Sequence, residues 1–139
     1  MLKLFLLFPV IAMAAEPAPP IKAVVARVID GDTVSIVAHW VPDPMKKEIA
    51  VRVYGVDTPE KSFRAQCAKE AELGAKATEF TKAQIAKAKK IEVAYFSWDK
   101  YGGRVLGDIL LDKQSLRMAL INNGFAREYF GDAKQSWCE

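Results

Sequence analysis

Histidine is almost absent from the sequence, and its scarcity excludes several kinds of catalytic and metal site. The only histidine is His39, which stands beside Trp40 and close to a proline, as loop histidines often do. A zinc site built on histidines or a Ser-His-Asp hydrolase would have to depend on that single residue. We therefore assign His39 no role and look for chemistry that needs no imidazole.

The sequence also lacks a hydrophobic run long enough to span a membrane. The apolar stretch from Leu4 to Met13 has about ten residues, whereas a membrane-spanning helix needs about 20. Lys3 precedes it and Ala12-Met13-Ala14 offers small residues for cleavage, which is the pattern of a signal peptide. A buried N-terminal strand and an uncleaved anchor are the alternatives. We predict three segments: a signal peptide at 1–14, a proline-rich tether at 15–21 and one domain at 22–139.

Strong charge of either sign is missing as well. The net charge is only +3, from 20 basic and 17 acidic residues. Such a mildly basic chain permits a polyanionic partner but does not identify one. The 139 residues suffice for one domain with a single core. We expect a monomer that is periplasmic or secreted, without stable membrane insertion once the signal is removed.

Cysteine is also scarce, with only Cys67 and Cys138 in the chain. In an exported protein an even, minimal number favours one disulfide between them, and two free thiols are the alternative. The loop that this bond closes is long, so the chain-entropy model gives a stabilisation of roughly 4 kcal/mol as an upper figure.

The residues that are present predict an α+β domain in which strands dominate. Asp30-Gly31-Asp32 separates two β-branched segments and is typical of a tight hairpin turn, where glycine tolerates a positive φ. A later segment is rich in Ala, Lys and Glu and has helical spacing of Leu73, Ala77, Phe80 and Ala83. The predicted strands are 23–29, 33–38, 49–56, 91–96 and 104–111, and the predicted helices are 67–90 and 115–122, with Gly124 as the cap of the second.

This order of elements favours one architecture. Five short strands with an intervening helix suit a five-stranded barrel of the oligonucleotide-binding type (OB-fold), with two or three helices. A β-sandwich is less favoured because the helix interrupts the series of strands.

Two acidic segments stand at the ends of predicted strands. Asp30-Gly31-Asp32-Thr33 joins the first two strands, and Val56-Asp57-Thr58-Pro59-Glu60 ends the third. Each segment alone is explained by a polar turn. If a barrel brings the strand ends together, Asp32, Asp57 and the Thr58 carbonyl provide hard oxygen ligands, suited to Ca²⁺ and less exclusively to Mg²⁺.

Two arginines occupy strands that otherwise carry apolar side chains. Arg52 lies between Val51 and Val53, and Arg104 begins the fifth strand after two glycines. A charge inside an apolar strand is costly unless it is paired or functional. Arg52 and Arg104 can donate to phosphate oxygens, while Glu60 orients or deprotonates a water. With a metal ion, this set predicts hydrolysis of phosphodiester bonds.

Three segments of the sequence resemble the signatures of the staphylococcal nuclease (thermonuclease) family. They are Asp30-Gly31-Asp32-Thr33, Arg52 through Glu60, and Asp99-Lys100-Tyr101-Gly102-Gly103-Arg104, within a likeness from about Val24 to Tyr129. The resemblance implies an OB-fold endonuclease that depends on Ca²⁺ and hydrolyses DNA and RNA, leaving 3′-phosphate ends.

The resemblance also implies a role for each matching residue. It makes Asp32, Asp57 and the Thr58 carbonyl Ca²⁺ ligands, and it makes Glu60 the general base or water-orienting residue. The implied contacts to phosphate and transition state are Arg52 and Arg104, and the implied substrate-binding residues are Lys100, Tyr101 and Tyr129. For Tyr129 and Phe130, packing in the core is the alternative.

Two features depart from the best-known family pattern. The sequence has one glycine more before Arg104, in Gly102-Gly103, and the loop after Glu60 carries Cys67. Strand parity adds a further expectation, because Arg52 and Asp57 lie on opposite faces of an ideal strand. We therefore predict a bend or bulge at Gly55.

Two other functions compete with hydrolysis. The first is a catalytically silent module that binds nucleic acid or protein on the same barrel. The second is an exported protein-interaction domain, which leaves Arg52 inside an apolar strand unexplained. The nuclease is favoured over both alternatives because the whole set of candidate catalytic residues is present. The set consists of Asp32, Arg52, Asp57, Glu60 and Arg104.

Overall fold

A computed structural model of the protein describes residues 19–100 and 102–139, without the side chain of Phe96. The predicted signal peptide and residues 15–18 of the tether lie outside the described residues. No helix of the described part is long and apolar enough to cross a membrane. Its elements are β1 (Ile21–Lys22), β2 (Val25–Asp30), β3 (Thr33–Val37), β4 (Glu48–Val53), β5 (Val56–Asp57), a 3₁₀ turn (Ser62–Arg64), α1 (Ala68–Lys87), β6 (Ile91–Trp98), β7 (Arg104–Leu111), β8 (Gln114–Ser115), α2 (Leu116–Asn122) and β9 (Arg127–Glu128).

Seven of these strands form one mixed sheet. The order is β1-β6-β7-β4-β3-β2, with β8 paired to β7, and β5 pairs with β9 separately. Neighbours are antiparallel except β4 and β7, which run parallel and align Arg52 with Leu106. The α+β class is therefore confirmed, and the five predicted strands correspond to β2, β3, β4, β6 and β7. The described strands follow an open path rather than a ring.

The core lies between the sheet and the two helices. β3 is buried along almost its whole length, because the hairpin partner β2 and strand β4 flank it on either side. α2 contributes two fully buried leucines, and Ser115 caps its first turn by accepting from the Met118 N–H. The helix ends as predicted, with Gly124 at φ 76° just beyond it. The buried cluster comprises Val34, Ile36, Val51, Val53, Val56, Val93, Ile109, Leu116, Leu120 and Ala126.

Helix α1 buries small and polar side chains rather than the predicted apolar face. Of the predicted positions Ala77 is fully buried, but Ala83 is exposed, so the predicted face was wrong in part. The reason is that the helix packs closely on the hairpin of β2 and β3, which we call the first hairpin. A Cβ on Gly31 would lie 2.8 Å from the Ala77 Cβ. Thr81 donates its hydroxyl to the Gly31 carbonyl at 2.6 Å. Gly31 is not among the glycines with positive φ, so close approach, not turn conformation, requires glycine here.

The predicted distortion between Arg52 and Asp57 is confirmed. Strand β4 ends at Val53, a turn follows, and β5 starts at Val56. Gly55 in this turn has φ 79°, a conformation that glycine adopts without steric cost. The break allows Arg52 and Asp57 to serve the same region although an ideal strand would direct them apart.

Candidate functional site

Asp32 and Arg52 meet where the first hairpin joins strand β4. Asp32 is buried in the turn before β3, where one carboxylate oxygen accepts the Thr33 hydroxyl at 2.8 Å. Its other oxygen lies 3.5 Å from Nη2 of Arg52. The register of β3 and β4 supports this contact. Thr33 pairs with Arg52, and the Val53 N–H donates to the Asp32 carbonyl at 2.8 Å. The charge of Arg52 therefore offsets part of the cost of burying Asp32.

The same guanidinium also reaches the segment that carries Asp57. Nη2 of Arg52 donates to the Val56 carbonyl at 3.3 Å. Asp57 and Thr58 follow directly, and both are buried. Arg52 thus links the first acidic segment to the second.

Both carboxylate oxygens of Asp57 have partners from the C-terminal segment. Trp137 donates its indole N–H to Oδ2 at 3.0 Å, and Nζ of Lys134 lies 3.2 Å from Oδ1. The Arg127 guanidinium lies over the Trp137 ring, 3.8 Å from its centre, and donates a hydrogen bond of 2.9 Å to the Ser136 carbonyl. These contacts fold the last residues of the chain over Asp57.

A disulfide fastens that segment to helix α1. Cys67 and Cys138 are bonded although they are 71 positions apart in sequence, so the predicted bridge is present. Cys67 is also the N-cap of α1, where its sulfur accepts from the Glu70 N–H at 3.4 Å. The bond therefore places Trp137, the neighbour of Cys138, at a fixed distance from the start of the helix.

Glu60 and Asp57 line the same cavity. This cavity has a volume of about 260 Å³, and Lys134 and Trp137 form part of its wall. Burial raises the pKa of the Glu60 carboxyl above its ordinary value; Arg64 opposes this increase, and the negative charge of Asp32 adds to it. A raised pKa suits a carboxylate that takes a proton from water near neutral pH.

The backbone around Glu60 is held by one buried carboxylate, that of Glu70. Glu70 accepts from the Glu60 N–H at 3.3 Å and from the Gln66 N–H at 2.7 Å, which fixes both ends of the loop. Arg64 bridges two acids, since it lies 2.9 Å from Asp30 and 3.5 Å from Glu60. The loop that carries Glu60 is therefore tied both to α1 and to the first hairpin.

Arg104 begins β7 and is oriented by Asp99. Its Nε donates to Oδ2 of Asp99 at 2.6 Å, and its Nη2 contacts the same oxygen. Gly102 and Gly103 both have φ 69°, so the additional glycine belongs to the turn between these two partners. Arg104 and Arg52 line one open cavity of about 550 Å³.

The predicted substrate-binding residues divide into two groups. Lys100 and Tyr129 line the same cavity as Arg52 and Arg104, and Nζ of Lys134 lies 5.3 Å above the Tyr129 ring. Tyr101 lies outside the described residues. Phe130 is more than half exposed and packs edge-on against Tyr54, so core packing does not account for it.

Comparison with known families agrees with this arrangement. The family model described as staphylococcal nuclease homologue matches residues 50–137, well over half of the 139 residues. The chain belongs to the staphylococcal nuclease family. Family membership indicates an OB-fold of the nuclease type with nucleic-acid substrates, which is consistent with the observed α+β sheet. Asp32 precedes the matched range and Cys138 follows it, and the other predicted site residues fall within it.

Members of the staphylococcal nuclease family are typically metal-dependent, and the donors of this site fit a hard cation. Asp32 and Asp57 are only 6% and 7% exposed, and two buried carboxylates need cationic charge nearby. Among the described residues no three His, Cys, Asp or Glu side chains converge on a metal-sized space. The predicted ligands include only two carboxylates and the Thr58 carbonyl, so they do not require such a group. Their all-oxygen chemistry is compatible with Ca²⁺ and with Mg²⁺.

Sequence reasoning missed the residues through which this nuclease-family site is assembled. Lys134 and Trp137 contact Asp57, and Asp99 orients Arg104. The one available signal was the proximity of Lys134 and Trp137 to Cys138, since a bridge to Cys67 brings the chain end near α1. Nothing in the local pattern of Asp99 separated it from an ordinary turn residue.

Proposed function

We propose that this staphylococcal nuclease family member is an exported, Ca²⁺-dependent endonuclease. Its substrates are DNA and RNA, and hydrolysis leaves 3′-phosphate ends. The residues proposed to contact phosphate are Arg52 and Arg104, and the proposed general base is Glu60. Asp32, Asp57 and the Thr58 carbonyl are the proposed ligands of the metal ion.

One observation carries this proposal: two guanidinium groups from adjacent parallel strands line one open cavity. Arg52 comes from β4 and Arg104 from β7, and their positions are two residues apart in the register, since Ala50 pairs with Arg104. Planar guanidinium groups donate paired N–H groups to phosphate oxygens. Two of them in one cavity supply the donors that a transition state with increasing negative charge requires.

The acidic residues have the remaining roles, namely proton transfer and metal binding. Glu60 lies in the adjoining cavity, where Lys134 belongs to the walls of both spaces. Its raised pKa favours uptake of the proton that an attacking water loses. When bound, Ca²⁺ would supply charge neutralisation and polarisation of the phosphate. The ion pair of 3.5 Å between Arg52 and Asp32 keeps this proposed metal ligand next to one of the two proposed phosphate contacts.

Export forms a separate part of the proposal. The segment 1–14 is proposed to be a signal peptide and residues 15–21 a tether, so that a monomer acts in a periplasm or outside the cell. The Cys67–Cys138 disulfide supports this location, because such bonds persist in oxidising compartments.

A catalytically silent module that binds nucleic acid or protein is the alternative. One observation favours it: both carboxylate oxygens of Asp57 already have partners, Trp137 and Lys134. A metal ion at Asp57 must therefore share the carboxylate with the indole N–H and compete with the Lys134 ammonium.

The deciding experiment digests end-labelled single-stranded DNA, duplex DNA and RNA in Ca²⁺, Mg²⁺ or excess chelator. We expect cleavage with Ca²⁺, little with chelator, and 3′-phosphate product ends. Glu60→Gln should bind substrate but lose about 10²–10⁴-fold in rate. Glu72→Gln is the matched control, because Glu72 is exposed on α1 and paired with Lys76. Binding without cleavage in every metal would support the silent module and reject the nuclease.

A further inference from the structure

Two exposed tryptophans and a tyrosine line a second cavity beside the phosphate site. Trp40 and Trp98 are 65% and 66% exposed, although indoles are usually largely covered. With Tyr95 they enclose a space of about 310 Å³. The rest of its wall consists of Ile49, Ser97 and Val105, none of which carries a charge. We call Trp40, Tyr95 and Trp98 the aromatic platform.

A strand irregularity places two members of the platform on one wall. In the ladder of β6 and β7, Tyr95 pairs with Gly107 but Ser97 pairs with Leu106, so one extra residue lies between them. Side chains of a regular strand alternate between faces, and one extra residue reverses that alternation. Tyr95 and Trp98 therefore share a face despite their odd spacing. Trp98 remains paired with Val105, which gives its backbone a rigid support.

The platform is continuous with the proposed phosphate site. Ser97 and Trp98 line both the platform cavity and the cavity that contains Arg52 and Arg104. A nucleotide whose phosphate is held by the arginines therefore has an aromatic surface next to it. Aromatic rings stack on any base. An apolar wall has few hydrogen-bonding groups that could distinguish one base from another, so binding here should tolerate different sequences.

We propose that the aromatic platform stacks the unpaired bases of a single-stranded substrate next to the phosphate bound by Arg52 and Arg104. This inference rests on the proposed function and specifies its substrate class. Bases in a duplex are stacked on each other and do not present their faces, so the platform favours single strands over duplexes. Basic groups for the phosphates and aromatic rings for the bases are the two components of a sequence-tolerant single-strand site.

The test measures binding and cleavage separately. Fluorescein-labelled oligo(dT), the same oligomer with abasic sites, and a hairpin duplex are titrated with protein by anisotropy. The Glu60→Gln background with Ca²⁺ prevents turnover during titration, and kcat and KM are then measured with Glu60 intact. Trp98→Ala and Trp40→Ala should each weaken oligo(dT) binding about 5- to 100-fold and raise KM more than they lower kcat. Trp98→Phe should restore most of the affinity.

Controls separate stacking from a general effect of removing aromatic residues. Phe63→Ala removes a side chain that is 94% exposed in the 3₁₀ turn and outside both cavities, and it should leave binding unchanged. Trp98→Ala should weaken the binding of the abasic oligomer and of the duplex by less than about twofold. Equal loss for oligo(dT), abasic oligomer and duplex would overturn the proposal, as would unchanged binding.

Two further outcomes assign a failure to its source. If Trp98→Ala and Trp40→Ala leave oligomer binding intact but abolish self-association on gel filtration or binding to lipid vesicles, the platform serves another partner and the inference is wrong. If the protein cleaves no nucleic acid in any metal, the proposed hydrolysis fails. The anisotropy series still decides whether bases stack on the platform.

Discussion

Trp137 donates its indole N–H to a carboxylate oxygen of Asp57 at 3.0 Å, although the two are 80 positions apart in sequence. The contact orients a buried carboxylate that is proposed to hold a metal ion. The second oxygen faces Lys134, so the C-terminal segment sets both the direction and the charge balance of Asp57. Outer partners of this kind commonly fix the geometry of a ligand and tune its affinity.

The first prediction concerns Trp137→Phe, which retains an aromatic ring for Arg127 and removes the N–H donor. The buried carboxylate of Asp57 then loses one hydrogen bond, a change that costs about 1–3 kcal/mol. We expect a lower melting temperature of the metal-free protein and a Ca²⁺ affinity that is about tenfold weaker by calorimetry. Trp40→Phe is the matched control, since Trp40 has no part in the Asp57 site, and it should change neither quantity. Wild-type stability and Ca²⁺ affinity in Trp137→Phe would show that the bond does not position Asp57.

The second prediction concerns the pH dependence of stability at Glu60. Its pKa is raised mainly by burial, so the folded chain binds this proton more tightly than the unfolded chain does. The ionised carboxylate therefore destabilises the fold above its folded pKa, and the penalty disappears as the pH falls below the unfolded value. We expect metal-free Glu60→Gln to melt on the order of 1–3 °C higher than wild type at pH 7, with the two curves converging below about pH 4.

Glu72→Gln provides a control of opposite sign for that experiment. Lys76 lowers the pKa of the Glu72 carboxyl, so its ionised form stabilises the fold at neutral pH and this contribution is lost as the pH falls. We therefore expect Glu72→Gln to melt at or slightly below the wild-type temperature at pH 7. A Glu60→Gln protein that melts lower than wild type at pH 7 would contradict the assigned direction.

The third prediction concerns Gly74 in helix α1. Helix propensity alone predicts that Gly74→Ala stabilises the protein by about 1 kcal/mol. A Cβ at this position would lie only 2.3 Å from the Glu60 carbonyl oxygen, which belongs to the backbone. We expect a net loss of about 1–3 kcal/mol in urea unfolding and a lower cleavage rate, because the loop that carries Glu60 must move away.

Ala75→Gly, on the exposed side of the same helical turn, isolates the effect of propensity. This variant should lose about 0.5–1 kcal/mol and retain the wild-type rate. Greater stability of Gly74→Ala than of wild type would mean that the helix and the Glu60 loop are not in close contact.

Much of this molecule was predictable because the relevant signals are local. β-branched alternation located the five longer strands of the sheet, but not the two-residue strands β1 and β8, and Ser115 with Gly124 bounded the second helix. The bend at Gly55 followed from counting residues between Arg52 and Asp57. The disulfide followed from the number of cysteines and the expected export.

Other features could not be read from neighbouring residues. The spacing of Ala83 resembled that of a buried helix face. Instead, α1 packs through Ala77 and Thr81 against the hairpin at Gly31, and through Gly74 against the backbone of Glu60. Likewise, the two tryptophans of the aromatic platform are 58 positions apart in the printed sequence, and only strand pairing and the extra residue in β6 place them around one cavity.

By itself, the sequence determined the five longer strands, the two helices, the pair of cysteines and which side chains carry acid and guanidinium chemistry. These properties depend on residue type and on spacing over a few positions. Only the tertiary structure decided that Trp137 and Lys134 contact Asp57, that Asp99 orients Arg104 and that Trp40 and Trp98 line one cavity. Contacts between distant segments depend on how the sheet twists and where the helices pack, and no local pattern encodes those positions.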